Sequence, residues 1–123
     1  MIKGLGSDII AVERITKALE RHGDRFLDTV FTEREVAYCR RYQEADRHFA
    51  GRFAAKEAVV KSLGTGFRQG ITFVDIEVIN DGYGKPEIHL SKKAAETIGP
   101  GRFLITISHC HSYATATAIW VDE

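Results

Sequence analysis

Features that define whole classes of protein are scarce or absent in this sequence of 123 residues. It has two cysteines, Cys39 and Cys110, which are too few for a disulfide framework and whose spacing matches no zinc-binding motif. No apolar run reaches the length of a membrane span, and the N-terminus lacks the hydrophobic segment of a signal peptide. These absences predict a cytoplasmic protein that keeps its thiols reduced and does not associate with membranes.

A net charge is also absent, because 17 basic residues balance 17 acidic ones. The composition therefore gives no indication of nucleic acid binding. Basic residues nevertheless concentrate in the middle of the chain, at Arg34, Arg40, Arg41, Arg47, Arg52, Lys56 and Lys61. They predict a positive surface for an acidic or phosphorylated partner, although a solvated helix face explains the same charges equally well.

The length fits one domain spanning residues 1–123, which buries roughly two-thirds of its unfolded surface. A core of this size gives no deep active-site walls, so a subunit interface can help to build a site. Hydrophobic and turn patterns predict an α+β fold in which a long central helix packs on an antiparallel sheet. The helices come first, and an antiparallel meander with one inserted helix follows them.

The predicted elements begin with a strand at Ile2–Ile10, a helix at Ala11–His22, a helix from the capping box Thr32–Glu35 toward Arg40, and the long helix from about Glu44 to Gly64. They continue with a strand at Thr72–Asn80, a strand at Glu87–Leu90, a short helix capped by Ser91, and a final hairpin of Phe103–Ser108 and Ala114–Val121. No repeat or linker interrupts this series.

The second half of the long helix carries a misplaced charge. At about 100° per residue, Phe49, Phe53 and Val60 form one apolar stripe, and Glu57 projects at its edge. A carboxylate near a core needs a cation, a group of donors or a raised pKa. Lys61 follows Glu57 at i+4, so an ordinary helix ion pair is one explanation and a functional carboxylate is the other.

Two further segments near this helix carry chemically useful residues. Asp8 follows Gly6 and Ser7 and is flanked by isoleucines, so it is either the N-cap of the next helix or a buried-edge ligand. Asp8 and Glu57 together would suit Mg²⁺, which takes one or two carboxylates with substrate phosphates and water. The Gly64-Thr65-Gly66 segment either approaches a phosphate or simply ends the helix.

The final hairpin contains a pair of histidines. His109 and His111 share one face of a strand, which suggests zinc, but a third and a fourth ligand are not evident in the sequence. A histidine at the hairpin tip that donates to a phosphate is the other interpretation. Alternating small residues at Ala114, Ala116 and Ala118 permit close packing of a helix or of a neighbouring subunit.

Three of these segments, taken in order, resemble the motifs of a known family. They are Gly6-Ser7-Asp8, Phe53-Ala54-Ala55-Lys56-Glu57-Ala58 with Lys61 three residues later, and Ile107-Ser108-His109 with the alternating alanines. The series is similar to the three motifs of the 4′-phosphopantetheinyl transferases, and the length resembles the short bacterial type. Cys110 stands where many relatives have serine, and Phe53 where larger relatives often have tryptophan; neither departure removes a named catalytic group.

The resemblance implies an enzyme of fatty acid biosynthesis. Such enzymes move the phosphopantetheine arm of coenzyme A onto a serine of apo acyl carrier protein and release adenosine 3′,5′-bisphosphate. By resemblance, Asp8 and Glu57 hold Mg²⁺ on the pyrophosphate, and Lys61 contacts the phosphates and the leaving oxygen. Glu57 or a metal-bound water takes the proton of the attacking hydroxyl.

The same resemblance implies where the substrates bind. Arg52 and His109 would face the adenosine phosphates of coenzyme A, and Gly64 would lie close to a phosphate. Arg14, on the first helix, would dock the acidic helix of the carrier protein. The short members are similar to a homotrimer with sites between subunits.

Two other functions compete with this one. The first is a module that binds coenzyme A or a carrier protein without turnover, which the presence of Asp8, Glu57 and Lys61 disfavours. The second is a structural zinc protein that uses His109 and His111 and is indifferent to Mg²⁺.

Overall fold

A long central helix organises the fold. The computed structural model describes residues 1–67 and 70–122, and helix α4 spans Ala45–Leu63. Small and apolar residues on several sides of α4 are buried, among them Phe49, Ala50, Ala54, Ala55, Ala58 and Val59. Gly64 ends the helix in a left-handed conformation with φ 80°, which glycine adopts without strain. A helix buried on most sides is typical of the centre of a small fold.

A three-stranded antiparallel sheet packs on α4. Its strands are β1 (Ile2–Ala11), β5 (Tyr113–Val121) and β4 (Arg102–His109), and the order β1-β5-β4 places the first and last strands side by side. The buried alanines of β5 give one small-residue face: Ala114, Ala116 and Ala118. This face allows the helix to lie close to the sheet.

Two glycines of β1 bring that strand onto the helix backbone. A Cβ atom added at Gly4 would collide with the carbonyl oxygen of Ser62, and one added at Gly6 would collide with that of Ala58. Alternate residues of a strand point to the same face. Asp8, two residues after Gly6, therefore belongs to the face of β1 that meets α4.

The remaining elements surround this centre. They are α1 (Val12–His22), α2 (Asp24–Val30), α3 (Glu33–Cys39), a 3₁₀ helix at Phe73–Asp75, the hairpin of β2 (Ile76–Asn80) and β3 (Pro86–Leu90), and α5 (Lys92–Ile98). Within the described parts of the chain, no helix is long and apolar enough to cross a membrane.

The α+β fold with its central helix on an antiparallel sheet is confirmed, and the capping box at Thr32 and Glu35 is present. The prediction of a single meander was wrong, because β2 and β3 form a separate two-stranded sheet and β1 pairs with β5.

The strand expected from Thr72 begins four residues later. Asp75 accepts hydrogen bonds from the Thr72 backbone at 2.8 Å and hydroxyl at 3.0 Å, and this local cap folds the intervening residues into the 3₁₀ helix. Helix α2 was not anticipated from the sequence.

Candidate active site

Asp8 lies inside strand β1 and faces helix α4. Of the two interpretations of Asp8, the N-cap is wrong, because the chain enters α1 at Ala11, which makes no side-chain cap. Strand β1 continues three residues beyond Asp8 and holds it in register with Ala116 of β5. The Asp8 side chain is 14% exposed, so its carboxylate sits at the rim of the strand–helix contact rather than in bulk water.

Lys61 reaches across from α4 to this carboxylate. Its Nζ donates to Asp8 Oδ1 at 3.0 Å and to the Ser7 carbonyl oxygen at 3.0 Å. The helix ion pair between Glu57 and Lys61 is not formed: among the described residues, the ion pair of Lys61 within 4.0 Å is with Asp8. The Lys61 side chain remains half-exposed, so part of its ammonium group faces solvent and can meet a ligand.

Glu57 lies beside Asp8 and Lys61, and its negative charge is the least compensated of the three. Partial burial and the negative charge of Asp8 raise the pKa of Glu57 above its ordinary value, and Lys61 opposes this rise only in part. Two neighbouring carboxylates that repel each other are a donor set that a hard divalent cation would relieve. This Asp8–Glu57–Lys61 cluster therefore fits Mg²⁺.

The cluster is not a complete metal cage. Across residues 1–67 and 70–122, no group of three or more His, Cys, Asp or Glu side chains is arranged to hold a metal. Mg²⁺ is typically held by one or two carboxylates together with substrate phosphates and water, and two carboxylates agree with that pattern. No zinc-type group of ligands includes His109 and His111 there.

A second polar site lies beside the first half of α4. Arg52 and His109, which the sequence singled out, line one cavity of about 200 Å³ together with Tyr38 and His48. The Arg52 side chain is only 5% exposed, and its guanidinium carbon lies 3.9 Å from the centre of the Tyr38 ring. One Arg52 nitrogen donates to the side-chain oxygen of Asn80, while its Nε has no hydrogen-bond partner among the residues that the structure describes.

This cavity is electropositive. Burial and the charges of Arg47 and Arg52 lower the pKa of His109, which is the effect expected when cations crowd one another. A buried guanidinium nitrogen without an acceptor is costly. Both features favour an anion in this cavity. His48 was not identified from the sequence as a site residue, because a lone histidine in a helix carries no motif.

The predicted positive surface does not include Lys56. Its side chain is 0% exposed, and its Nζ contacts Glu35 Oε1 at 2.7 Å. Arg52 is buried as well, so two of the seven basic residues do not reach the surface. The surface prediction was wrong at these positions, because Lys56 pairs with the buried Glu35 and Arg52 is covered by Tyr38 and donates to Asn80.

Gly64 and Arg14 occupy surface positions whose roles remain predictions. Gly64 caps α4 through its backbone N–H, which donates to the Lys61 carbonyl oxygen at 3.1 Å, and a Cβ there would meet no atom of the described residues within 4 Å. Arg14 is exposed on α1 and is therefore available to a partner.

Comparison with known proteins assigns the family. A family model described as the 4′-phosphopantetheinyl transferase superfamily matches residues 4–118. The chain therefore belongs to this superfamily. It is 51% identical over 120 residues to a holo-[acyl-carrier-protein] synthase of Protochlamydia amoebophila, with 98% of each chain covered.

Solved structures agree with this assignment. The holo-[acyl-carrier-protein] synthase of Neisseria meningitidis is 31% identical, with a TM-score of 0.87 and 98% of each chain covered. A structure of the Bacillus anthracis enzyme in complex with CoA (3′,5′-ADP) is 36% identical, with a TM-score of 0.84, and covers 100% of this chain and 99% of that one. The fold and the three sequence motifs thus agree with one family over nearly the whole chain.

Proposed function

We propose that this protein transfers the 4′-phosphopantetheine group of coenzyme A to a serine hydroxyl of apo acyl carrier protein, in a Mg²⁺-dependent reaction that releases adenosine 3′,5′-bisphosphate. The observation that carries the proposal is the Asp8–Glu57–Lys61 cluster at the contact of β1 with α4. The names of the relatives support the same activity. The product would serve fatty acid biosynthesis.

Phosphoryl-type transfer depends on positioning and charge neutralisation more than on covalent help from the protein. Bound Mg²⁺ would supply the positive charge that neutralises the pyrophosphate, and Asp8 and Glu57 would hold it. Lys61 Nζ, now shared between Asp8 and the Ser7 carbonyl, has donor capacity toward a phosphate oxygen. It would stabilise the charge that develops on the leaving oxygen.

Glu57 is our candidate for the general base. Bound Mg²⁺ would lower the pKa that burial and Asp8 raise in the metal-free protein, so this role rests on the position that the carboxylate would have beside the pyrophosphate, and a metal-bound water is the alternative base. One carboxylate oxygen would accept the proton of the attacking serine hydroxyl.

The adenosine half of coenzyme A is assigned to the cavity of Arg52 and His109. The unpaired Nε of Arg52 and the cationic surroundings of His109 support an anionic ligand there. Gly64, at the C-terminal end of α4, would let a phosphate approach the backbone. Because Arg52 would contact the anionic ligand in this cavity, its loss would weaken coenzyme A binding.

We propose a homotrimer with sites between subunits. On the face of the sheet opposite α4, Leu5 and Leu104 flank Ile119 in the strand register, and Leu5 and Ile9 are 65% and 66% exposed in the single chain. A second copy of the chain is the occupant that a row of aliphatic residues on a small fold favours. Sedimentation equilibrium would distinguish a trimer from a monomer.

We propose that the reaction takes place in the cytoplasm, where free thiols such as Cys39 and Cys110 of this protein persist.

We propose that Arg14 docks the carrier protein. Arg14→Ala should raise the KM for the carrier protein with little change for coenzyme A, because uniform binding is lost. Added salt should raise the same KM through screening. A reversed pattern would move docking to another surface.

The first test is intact mass spectrometry of an apo acyl carrier protein incubated with this protein, coenzyme A and Mg²⁺, beside an EDTA control. The expected result is a gain of one phosphopantetheine group that EDTA prevents. Glu57→Gln should reduce the transfer rate by about 10²-fold or more, since both a metal ligand and a base are lost. No gain with several carrier proteins, from a sample that still binds coenzyme A, would favour a binding module instead.

A further inference from the structure

His48 belongs to the anion-binding cavity although no motif marks it. Its ring stacks on Tyr42 with the ring centres 3.7 Å apart, and it meets the His109 ring edge-on at 5.0 Å. Helix α4 carries His48 one turn before Arg52, and both line the same cavity of about 200 Å³ with His109. Three nitrogen-bearing side chains from two elements therefore face one small space.

One buried guanidinium nitrogen of this cavity has no acceptor. Within the part of the chain that the structure describes, Arg52 Nε is without a hydrogen-bond partner, although another nitrogen of Arg52 donates to Asn80. Leaving a buried donor unsatisfied is unfavourable, and an anion would remove that penalty. The unpaired nitrogen is thus an independent indication that the cavity takes an anionic ligand.

The charges around His48 come from every element that packs on it. Burial lowers its pKa, and so do His109 from β4 and Arg52 and Arg47 from α4; Glu44, just before α4, acts in the opposite direction. On the α3 side the neighbours are Tyr38 and Tyr42, and burial raises the pKa of Tyr38, which stays neutral. Without a ligand, the pKa of His48 therefore lies below the ordinary value of a histidine, and the neutral form is favoured.

We propose that His48 is a further substrate-binding residue, and that the His48–His109 pair takes up a proton when a phosphate monoester of the adenosine half of coenzyme A binds in this cavity. The inference rests on the proposed function, because that function brings coenzyme A to the site. A phosphate monoester carries a charge of about −1.5 to −2 at pH 7. Such a charge favours a cationic imidazole and reverses the effect of the neighbouring arginines.

The sign of the pH dependence follows from this coupling. The free protein holds fewer protons on the pair than the complex does, so binding tightens as the pH falls. The trend should end near pH 6, where the phosphate gains a proton itself. We expect coenzyme A to bind about 3- to 10-fold more tightly at pH 6.5 than at pH 8.

Isothermal titration calorimetry tests the proposal without any variant. Coenzyme A and dephospho-coenzyme A, which lacks the 3′-phosphate, are titrated into the whole protein at both pH values, in two buffers with different ionisation enthalpies. The protein should take up part of a proton per site when coenzyme A binds, and almost none when dephospho-coenzyme A binds. Equal proton uptake on binding of the two ligands would overturn the proposal.

A matched pair of variants assigns the effect to His48. His48→Gln should weaken coenzyme A binding about 5-fold at pH 6.5 and remove most of the pH dependence, because a neutral amide cannot be protonated. His22→Gln, on the exposed end of α1, should change neither quantity. Unchanged proton uptake in His48→Gln would exclude His48 as the proton acceptor.

The outcomes separate this proposal from the proposed function. Normal carrier-protein modification with no proton uptake would overturn the role of His48 alone. A wild-type protein that neither binds coenzyme A nor modifies a carrier protein would overturn both.

Discussion

Two neighbouring residues of α4, Lys56 and Glu57, have opposite charges and lie in different environments. Lys56 points into the core and Glu57 to the rim where β1 meets the helix. Lys56 Nζ contacts Glu35 Oε1, the Val30 carbonyl and the Phe73 carbonyl at 2.7–2.9 Å. All three protons of the ammonium group are therefore used.

The Asp8–Glu57–Lys61 cluster differs in how its groups are satisfied. Lys61, which is half-exposed, pairs with Asp8 and not with Glu57, and burial together with the charge of Asp8 raises the pKa of Glu57. A buried cluster with every donor occupied has nothing to offer a ligand, whereas a rim cluster with excess negative charge can hold a cation and its substrate. The number of hydrogen-bond partners thus distinguishes Lys56, a structural charge, from Glu57, the candidate functional charge on the same helix.

The largest effect should come from breaking the buried cluster. Lys56→Met keeps most of the side-chain volume but leaves Glu35 as a buried carboxylate without its cation. The expected loss in the free energy of unfolding is about 3–5 kcal/mol. Chemical denaturation measures it, with Lys61→Met on the same helix as the matched control. A loss below about 1 kcal/mol would mean that Lys56 is no more important than a surface lysine.

A double-mutant cycle would sharpen the contrast. Glu35→Gln and Lys56→Met, alone and combined, should show a coupling energy of about 1–3 kcal/mol, because the two side chains contact each other. Stability should not return fully, since Lys56 also binds two carbonyls and Glu35 also accepts from the backbone N–H of Thr32 and Val78. Strict additivity of the two single changes would contradict the coupling.

The sequence predicts local parts of this contrast and misses the long-range parts. The capping box of Thr32 and Glu35 is readable because its partners lie three residues apart. The Glu35–Lys56 pair joins residues 21 positions apart on two different helices, and charged residues are by default expected at the surface. Asp8 and Glu57 approach each other only because Gly6 lets β1 touch the helix, so family motifs rather than spacing predicted their partnership.

The rim cluster should be far less important for stability than the buried one. Lys61→Met removes a half-exposed ion pair, so unfolding measurements should change by no more than about 1 kcal/mol. The transfer rate should nevertheless fall by about 10²-fold, because the role proposed for Lys61 is to stabilise the charge on the leaving oxygen. A stability loss equal to that of Lys56→Met would remove the distinction between the two clusters.

The smallest effect has the opposite sign. Glu57→Gln should stabilise the free protein at pH 7 by less than about 1 kcal/mol, because it removes a partly solvated carboxylate that burial and Asp8 disfavour. The raised pKa means that the folded state holds this proton more tightly than the unfolded chain. The contribution of Glu57 to stability therefore falls as the pH rises from its unfolded-state pKa through the raised folded-state pKa. The advantage of Glu57→Gln should accordingly grow across that window and then level off. Urea unfolding of both proteins from pH 4 to pH 8 measures the difference, and a variant that is less stable at pH 7 would show that Glu57 contributes to the fold itself.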